Sequence, residues 1–342
     1  MISPHTGLAM HEPNSLILGI ESSCDDTAVA LVARDGSVAA ALTQSQAEIH
    51  AQYGGVYPEL ASRAHAAEII PTIRQTLAQI DAAPEHIRAI AVTRGPGLIG
   101  PLLVGLNAAE GLGLGWSKPV VGVNHLRGHL RSAELDGGKI TYPAVVLLAS
   151  GGHTLMAYMA DAKSVEILGG TRDDSVGEAY DKVARMLGLG YPGGPAVDKL
   201  AKTGAPDITF PRPMIREGLE FSFSGLKSAV ARLVEREPDV DKPTVAASFV
   251  AAAMDVLAAK CARALAEREA ASLVVVGGVS AGPQLRERTA EVCAAAGVDL
   301  ALPSLKWSTD NGAMIALAGW DYLDMGLVPH LKPATRLSIE QF

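Results

Sequence analysis

Two histidines one helical turn apart, together with a distant carboxylate, are the residues of this chain best suited to bind a metal ion. His125 and His129 lie in Val-Asn-His-Leu-Arg-Gly-His-Leu, and Asp310 lies in Ser-Thr-Asp-Asn. Residues i and i+4 of a helix share a face, so both imidazoles can reach one ion. This ligand set leaves coordination positions open for a substrate and suits Fe(II) or a catalytic Zn(II). The alternative is a pair of ordinary histidines on a helix surface.

Three turns that follow predicted strands offer further groups for binding or catalysis. Residues 22–26, Ser-Ser-Cys-Asp-Asp, supply paired carboxylates that could hold a cation or accept a proton. Residues 150–153, Ser-Gly-Gly-His, expose backbone N–H groups with no Cβ to block phosphate or carboxylate oxygens. Residues 277–280, Gly-Gly-Val-Ser, would let a nucleotide lie against the backbone. The alternative for each segment is an ordinary polar turn.

Other catalytic motifs are incomplete. A dinucleotide-type Gly-x-Gly-x-x-Gly pattern occurs at residues 95–100 and again at 188–193, without a convincing acidic ribose partner. The histidine pair has the spacing of a zinc-protease helix, but Leu126 stands where the general-base glutamate would be. Ser224-x-x-Lys227 resembles a motif of penicillin-recognising serine enzymes, but the companion motifs are in the wrong chain order. None of these functions is favoured.

Apolar periodicity predicts two related α/β lobes. A buried strand, a polar turn and a returning strand occur over residues 16–33 and again over 144–160, which indicates a structural repeat. Helices and further strands then alternate, as expected where helices cover a sheet. The Pro- and Gly-rich segment 190–216 predicts a loop. The predicted helices are 57–80, 100–114, 176–187 and 244–271, and the later strands are 89–93, 120–123 and 273–276.

Composition restricts the partners and the compartment. With 29 Lys and Arg against 37 Asp and Glu, the formal net charge is −8, so an RNA substrate would require a local basic patch or helper proteins. The arginines available for such a patch are Arg63, Arg74, Arg88, Arg94, Arg127 and Arg131. Three widely spaced cysteines fit a reduced cytoplasm. Apolar runs are strand-sized, well short of the roughly 20 residues of a membrane helix, so no membrane partner is expected.

Nine segments of the sequence, taken in order, resemble one family almost from end to end. They are Gly-Ile-Glu-Ser-Ser-Cys-Asp-Asp-Thr from Gly19, Pro-Glu-Leu-Ala-Ser-Arg-Ala-His from Pro58, Gly-Pro-Gly-Leu-Ile-Gly from Gly95, Asn-His-Leu-Arg-Gly-His from Asn124, Ser-Gly-Gly-His-Thr from Ser150, Gly-Glu-Ala-Tyr-Asp-Lys from Gly177, Tyr-Pro-Gly-Gly-Pro from Tyr191, Phe-Ser-Phe-Ser-Gly-Leu-Lys from Phe221 and Thr-Asp-Asn from Thr309. The chain thereby resembles the universal tRNA N6-adenosine threonylcarbamoyltransferase family, formerly called O-sialoglycoprotein endopeptidases.

The resemblance implies the fold of the actin-like ATPases, sugar kinases and Hsp70, an α/β fold with two RNase-H-like lobes around a cleft. It also implies the domain boundaries. A disordered leader would cover residues 1–14, the first lobe 15–142 and the second lobe 143–305. A C-terminal helical segment, 306–342, would return to the first lobe.

The resemblance further implies an acyltransferase that modifies tRNA in the cytoplasm. The family transfers the threonylcarbamoyl group from threonylcarbamoyl-AMP to N6 of the adenosine beside the anticodon, in tRNAs that read codons beginning with A. It works with an inactive paralogue as heterodimer partner, an ATPase helper protein and a separate adenylate-forming enzyme.

Family residues map onto positions of this chain. His125, His129 and Asp310 would bind one Fe(II) ion per subunit, with Zn(II) as an alternative, and Asp25 is the implied catalytic residue, an acidic side chain that could accept the proton of the amine. Substrate contacts map to Leu148, Ala149, Ser150, Gly151, Gly152, Asp181, Gly194, Asp198 and Gly282. Gly282 replaces the usual asparagine of the family, so a backbone contact could replace an amide contact to the adenylate. Ser308 replaces a usual cysteine that is not an implied ligand.

Two functions of other classes fit the same fold. One is a phosphotransferase acting on a small molecule such as a sugar, because a fold does not fix a function. That reaction requires Mg(II) on oxygen ligands, which the two histidines do not supply. The other is a nucleotide-gated binding protein without transfer chemistry.

Overall fold

A computed structural model of the protein describes residues 12–327 and 331–342. The chain forms two compact units. Unit 1 comprises the described residues of Met1–Ile49, Val56–Lys139 and Asp310–Phe342, and unit 2 comprises His50–Gly55 and Ile140–Thr309. Of the leader expected at residues 1–14, residues 1–11 lie outside the described part.

Unit 1 contains a five-stranded sheet in the order β3-β2-β1-β4-β5. Strands β1 (Leu16–Glu21), β2 (Asp26–Ala33) and β3 (Val38–Ser45) pair in antiparallel fashion. Strand β4 (Ile87–Gly95) runs parallel to β1, and β5 (Val120–Asn124) runs parallel to β4. Every residue of the central strand β1 is buried, which explains its nearly continuous apolar sequence.

Unit 2 contains a second five-stranded sheet, in the order β10-β9-β6-β7-β8. Strands β6 (Ala144–Ala149), β7 (Thr154–Met159) and β8 (Val165–Gly170) are antiparallel. Strand β9 (Ser272–Val276) runs parallel to β6, and β10 (Asp299–Ala301) runs parallel to β9. Three antiparallel strands followed by two parallel strands therefore occur in both units, and this repeat confirms the predicted pair of related α/β lobes.

The predicted helices are present, with ends shifted by a few residues. Within the described ranges, helices α1 to α10 are, in chain order, Ala47–Ala51, Pro58–Ala78, Ile99–Trp116, His125–Arg131, Val176–Met186, Gly193–Ala201, Ser224–Arg236, Lys242–Glu267, Pro283–Ala296 and Gly312–Asp324. Short 3-10 helices lie at Pro84–His86, Ser132–Gly137, Gly278–Ala281 and Leu305–Trp307.

The prediction of a loop over residues 190–216 is wrong for helix α6. Pro192 and Pro195 lie just before and within its first turn, where backbone N–H groups have no intrahelical acceptor and proline costs little. The backbone N–H of Gly193 donates instead to Oδ1 of Asp181 at 2.8 Å. Val197 faces the core of unit 2 and is fully buried. Burial of this apolar face stabilises a helix that the Pro and Gly content argued against.

Helix α8 runs through the core of unit 2. Its buried ridge contains Phe249, Ala253, Leu257 and Cys261, at the predicted spacing of four residues. This helix is also long and apolar enough to cross a membrane, which the strand-sized apolar runs of the sequence did not predict. Because 78% of its most apolar part is buried inside the protein, core packing explains its apolar character.

Candidate active site

Helix α4 places both histidines in the interior of unit 1. The helix starts directly after β5, and the side chain of Asn124 caps it by accepting a hydrogen bond from the backbone N–H of Leu126 at 3.0 Å. Helix α10 packs so closely on α4 that a Cβ at Gly128 would lie 2.8 Å from Cδ1 of Ile315. His125 is 6% exposed and His129 is 0% exposed. The alternative of two histidines on an ordinary helix surface is therefore wrong.

Asp310 lies beside both imidazoles, just before helix α10. Its Oδ1 is 3.1 Å from Nε2 of His129 and 3.7 Å from Nε2 of His125. One ligand atom from each of the three side chains lies within 4.8 Å of the others, and all three residues belong to unit 1. The structure thus brings together the three residues that the sequence suggested as metal ligands.

The state of His129 shows that these residues fit a metal ion. Its ring is fully buried, yet neither Nδ1 nor Nε2 has a hydrogen-bond partner among the described residues. The nearby Asp310 oxygen is within reach of Nε2 but not in hydrogen-bond geometry. Buried polar atoms are rarely left unpaired, so this ring calls for a further partner. Two imidazole nitrogens and a carboxylate suit Fe(II) or Zn(II).

Glu21, whose role no sequence motif indicated, orients His125. It is the last residue of β1 and is 1% exposed. Its Oε2 accepts hydrogen bonds from Nδ1 of His125 at 2.9 Å and from Oγ1 of Thr93 at 2.5 Å. Because Nδ1 of His125 is bonded to the Glu21 carboxylate, Nε2, which faces Asp310, is the ring nitrogen available to a metal ion. The only signal in the sequence was a carboxylate at the end of an otherwise apolar strand.

Without a metal, Glu21 and His125 favour the ion-pair state. Burial alone would lower the pKa of His125, but the charges of Glu21 and Asp310 raise it to about 9. Burial opposes ionisation of Glu21, yet the neighbouring His125 charge brings its pKa below the usual value. Metal binding must therefore displace a proton from His125, which couples metal affinity to pH.

The turn between β1 and β2 carries Asp25. Its backbone carbonyl accepts a hydrogen bond from the N–H of Gln46 at 3.0 Å. Burial and the charges of Asp25 and Asp310 raise the pKa of the Cys24 thiol well above its usual value. Burial and the same two carboxylates raise the pKa of Asp26 to about 7. The turn therefore brings acidic groups close to Asp310.

A buried histidine of α2 fixes this turn. Nε2 of His65 lies 3.0 Å from the carbonyl oxygen of Cys24, and Nδ1 lies 2.7 Å from Oγ1 of Thr27. A carbonyl can only accept, so Nε2 carries the proton and Thr27 donates to Nδ1 in the neutral ring. His65 thus bonds to the residues on either side of Asp25 and Asp26 in the acidic turn.

The Ser-Gly-Gly-His turn of unit 2 has the open backbone that the sequence predicted. It follows Leu148 and Ala149, the last residues of β6. The backbone N–H of Ser150 donates to the His153 carbonyl at 2.8 Å, and the Ser150 hydroxyl accepts from the His153 N–H at 3.1 Å. A Cβ built at Gly151 or Gly152 would meet no atom within 4 Å. Both glycines are exposed, so a ligand can approach their backbone closely.

The remaining predicted substrate residues of unit 2 form two neighbouring groups. The carboxylate of Asp181 accepts a hydrogen bond from the backbone N–H of Gly193 at the start of α6, next to Gly194. Asp198, farther along α6, is hydrogen-bonded by the phenol of Tyr180, and burial raises its pKa. A Cβ at Gly282 would lie 3.2 Å from Oδ2 of Asp198. The asparagine that the sequence resemblance implies at this position would therefore contact the carboxylate of Asp198.

Three of the arginines expected in a basic patch serve internal contacts. Arg127 is 5% exposed and donates to the Ile339 carbonyl. Arg131 forms ion pairs with Glu134 and Asp321, and Arg94 donates to the Phe342 carbonyl. The predicted patch is wrong for Arg127, which is buried, and for Arg131, whose charge is paired, while Arg94 is engaged in a backbone contact.

Comparison with known proteins identifies the family. The sequence model of the TsaD family, tRNA N6-adenosine threonylcarbamoyltransferase, matches residues 37–317. The chain belongs to this family. A member from Burkholderia ambifaria is 48% identical over 315 residues, which cover 89% of this chain and 91% of the relative. Members from Burkholderia multivorans and Burkholderia thailandensis match with the same identity and coverage.

Solved structures with low sequence identity share the fold. HypF from T. kodakarensis has a TM-score of 0.63 at 14% identity, covering 92% of this chain and 48% of that protein. Component A of the (R)-2-hydroxyglutaryl-CoA dehydratase of Acidaminococcus fermentans has a TM-score of 0.56 at 15% identity, covering 91% and 99%. These likenesses confirm the predicted actin-like ATPase fold for this threonylcarbamoyltransferase family member and carry no argument about its function.

Proposed function

We propose that this enzyme transfers the threonylcarbamoyl group from threonylcarbamoyl-AMP to N6 of the adenosine beside the anticodon, in tRNAs that read codons beginning with A. Membership of the family supports the reaction. The observation that carries a metal-assisted form of it is the fully buried His129 next to Asp310 and His125, since the ring nitrogens of His129 accept or donate no hydrogen bond among the described residues. The imidazole ligands also argue against the phosphotransferase alternative, which requires a magnesium site made of oxygens.

His125, His129 and Asp310 would hold one Fe(II) ion, with Zn(II) as the alternative. A metal bound there supplies a Lewis acid and a template for the oxygens of the donor. Glu21 keeps the His125 ring oriented through its bond to Nδ1. These four side chains are therefore assigned to metal binding, and none of them to proton transfer.

The residues of unit 2 are suited to holding the donor. The N–H groups of Gly151 and Gly152 can donate to phosphate or carboxylate oxygens, since both residues are exposed and carry no side chain that would block the approach. Leu148, Ala149 and Ser150 place this turn at the end of β6. We assign Asp181, Gly194, Asp198 and Gly282 to contacts with the donor, with a backbone contact at Gly282 in place of the missing amide.

The chemistry requires positioning and charge stabilisation more than a covalent intermediate. The donor is a mixed anhydride, so AMP is a good leaving group. The N6 amine attacks the carbamoyl carbon, a C–N bond forms, and the C–O bond to AMP breaks with its electron pair. The amine must lose one proton, and we assign its acceptance to the carboxylate of Asp25 in the β1–β2 turn. These groups act without becoming bonded to the acyl group.

We propose that partner proteins assist tRNA binding. The net charge of −8 disfavours unaided binding of a polyanion, and the internal contacts of Arg94, Arg127 and Arg131 remove three cations from the predicted patch. An inactive paralogue as heterodimer partner and an ATPase helper, acting in the cytoplasm, would supply the missing contacts. A separate enzyme would form the adenylate.

Mass spectrometry of tRNA nucleosides tests the proposal. Cells depleted of this protein should lose threonylcarbamoyladenosine and regain it when the chain is supplied. Asp310→Ala should lose bound metal and transfer activity together, because it removes the only carboxylate of the ligand set. Asp324→Ala, which removes a surface ion pair with Arg34 at the end of α10, is the matched control. Full transfer by metal-stripped enzyme would contradict the metal-assisted reaction.

A further inference from the structure

Residues 331–342, here called the strap, contact the side of helix α4 that faces away from its two histidines. Arg127 lies two positions from each histidine, and at 3.6 residues per turn its side chain leaves the helix on the opposite face. Arg127 and Asn124, the capping residue of α4, both bond to the strap. The strap and α4 both belong to unit 1.

The guanidinium group of Arg127 contacts the strap through hydrogen bonds and through an aromatic ring. Its Nε donates to the Ile339 carbonyl at 2.8 Å, and its Nη2 donates to the Glu340 carbonyl at 3.4 Å. The guanidinium carbon lies 3.4 Å from the centroid of the Phe342 ring, a cation–π arrangement. A buried guanidinium is costly unless it is bonded, so these contacts compensate for removing Arg127 from water.

Asn124 connects the strap to the first turn of α4. Its Nδ2 donates to the carbonyls of Ser338 at 2.8 Å and Gln341 at 3.0 Å, while its Oδ1 caps the helix. The phenol of Tyr322 accepts from the Asn124 backbone N–H at 3.0 Å, and its ring lies 5.1 Å from that of Phe342. One amide side chain therefore fixes the helix start and the strap at the same time.

Helix α4 depends on such contacts for its orientation. It contains only seven residues, too few to be stable without tertiary packing. Both histidines must point at Asp310 for three ligand atoms to share one ion. We infer that the strap is a positioning element for metal binding: it holds α4 so that His125 and His129 face Asp310. The inference rests on the proposed role of these three residues as ligands.

Zn(II) affinity of the full-length protein tests the inference. Arg127→Met removes the guanidinium, and Phe342→Ala removes only the ring stacked on it. Each should weaken Zn(II) binding, measured by competition with a chromophoric chelator, by about 10-fold or more, as for other residues that orient metal ligands. Arg88→Met, at an exposed position of β4, should bind like the wild type. Folded variants with wild-type affinity would overturn the inference.

Amide hydrogen exchange separates the strap from the metal chemistry. In metal-free protein, residues 126–131 should exchange faster in both variants than in the wild type or Arg88→Met, because α4 loses its support. Unchanged protection in Phe342→Ala would overturn the inference even if Arg127→Met failed to fold. A wild-type chain that binds neither Zn(II) nor Fe(II) would refute the metal role in the proposed function, while the exchange rates would still decide whether the strap holds α4.

Discussion

The replacement Glu21→Gln tests how a buried histidine is prepared as a metal ligand. Gln keeps the size of the side chain and one acceptor oxygen but removes the negative charge 2.9 Å from Nδ1 of His125. Two effects on metal affinity follow, and they have opposite signs. The His125 ring loses the carboxylate that orients it and makes Nε2 a better electron-pair donor to the metal, which lowers metal affinity. The proton that competes with the metal for Nε2 is bound less tightly, which raises that affinity.

The size of each effect can be worked out. Loss of a partner that orients a metal ligand costs about 10- to 100-fold in affinity, or about 1.4 to 3 kcal/mol. In the wild type the pKa of His125 is about 9, so proton competition at pH 7 costs about 100-fold and disappears above pH 9. Without the Glu21 charge that pKa falls, and the competition becomes smaller. The two proteins should therefore differ most above about pH 9 and least near pH 7.

Zn(II) competition titrations between pH 7 and above pH 9 measure both effects, the loss of the orienting partner and the change in proton competition. Wild-type affinity should rise about 10-fold per pH unit between pH 7 and pH 9. The affinity of Glu21→Gln should level off at a lower pH and at a lower final value. Glu59→Gln, which alters an exposed ion pair with Arg63 on α2, is the control. Identical profiles for Glu21→Gln and the wild type would refute the argument that Glu21 sets the state of His125.

Two further substitutions test buried charges through stability. Burial and neighbouring carboxylates raise the pKa of Asp26 from 3.8 to about 7, so the free energy of unfolding of the metal-free protein falls as pH rises through this range. Asp26→Asn should therefore raise the thermal unfolding midpoint at pH 8 but not at pH 4. Equal shifts at both pH values would contradict this. The ammonium of Lys260, 0% exposed, donates to three backbone carbonyls, those of Met214, Glu217 and Gly218. Lys260→Met should lose about 3 kcal/mol in chemical denaturation because buried acceptors stay unpaired, whereas Lys242→Met, at an exposed position of the same helix, should lose little.

The part of the site that depends on local spacing could be predicted from the sequence. Four-residue spacing placed His125 and His129 on one face of a helix, and that face is formed as expected. Spacing could not show that Asp310 lies beside them, because this contact depends on how α10 packs against α4. Glu21 was missed for the same reason: its partners, His125 and Thr93, are distant in sequence and meet only when β1, β4 and α4 assemble.

The errors in the fold have a common physical origin. Edge strands β3, β8 and β10 were not predicted, since all three are partly exposed and lack the continuous apolar pattern of β1 and β6. Helix α6 was predicted as loop because its Gly and Pro residues oppose helix formation locally, whereas its bond to Asp181 and the burial of Val197 favour it. In each case tertiary contacts outweighed the local preference of the sequence.

Helix α8 has a consequence for handling the protein. Its 26 residues are among the most apolar of the chain, and the folded state hides most of them from water. A newly synthesised or denatured chain exposes this segment before unit 2 has closed around it, so association between chains competes with folding. Recovery of active protein after dilution from denaturant should therefore decline as protein concentration rises, and cells that overproduce the chain should accumulate part of it in inclusion bodies.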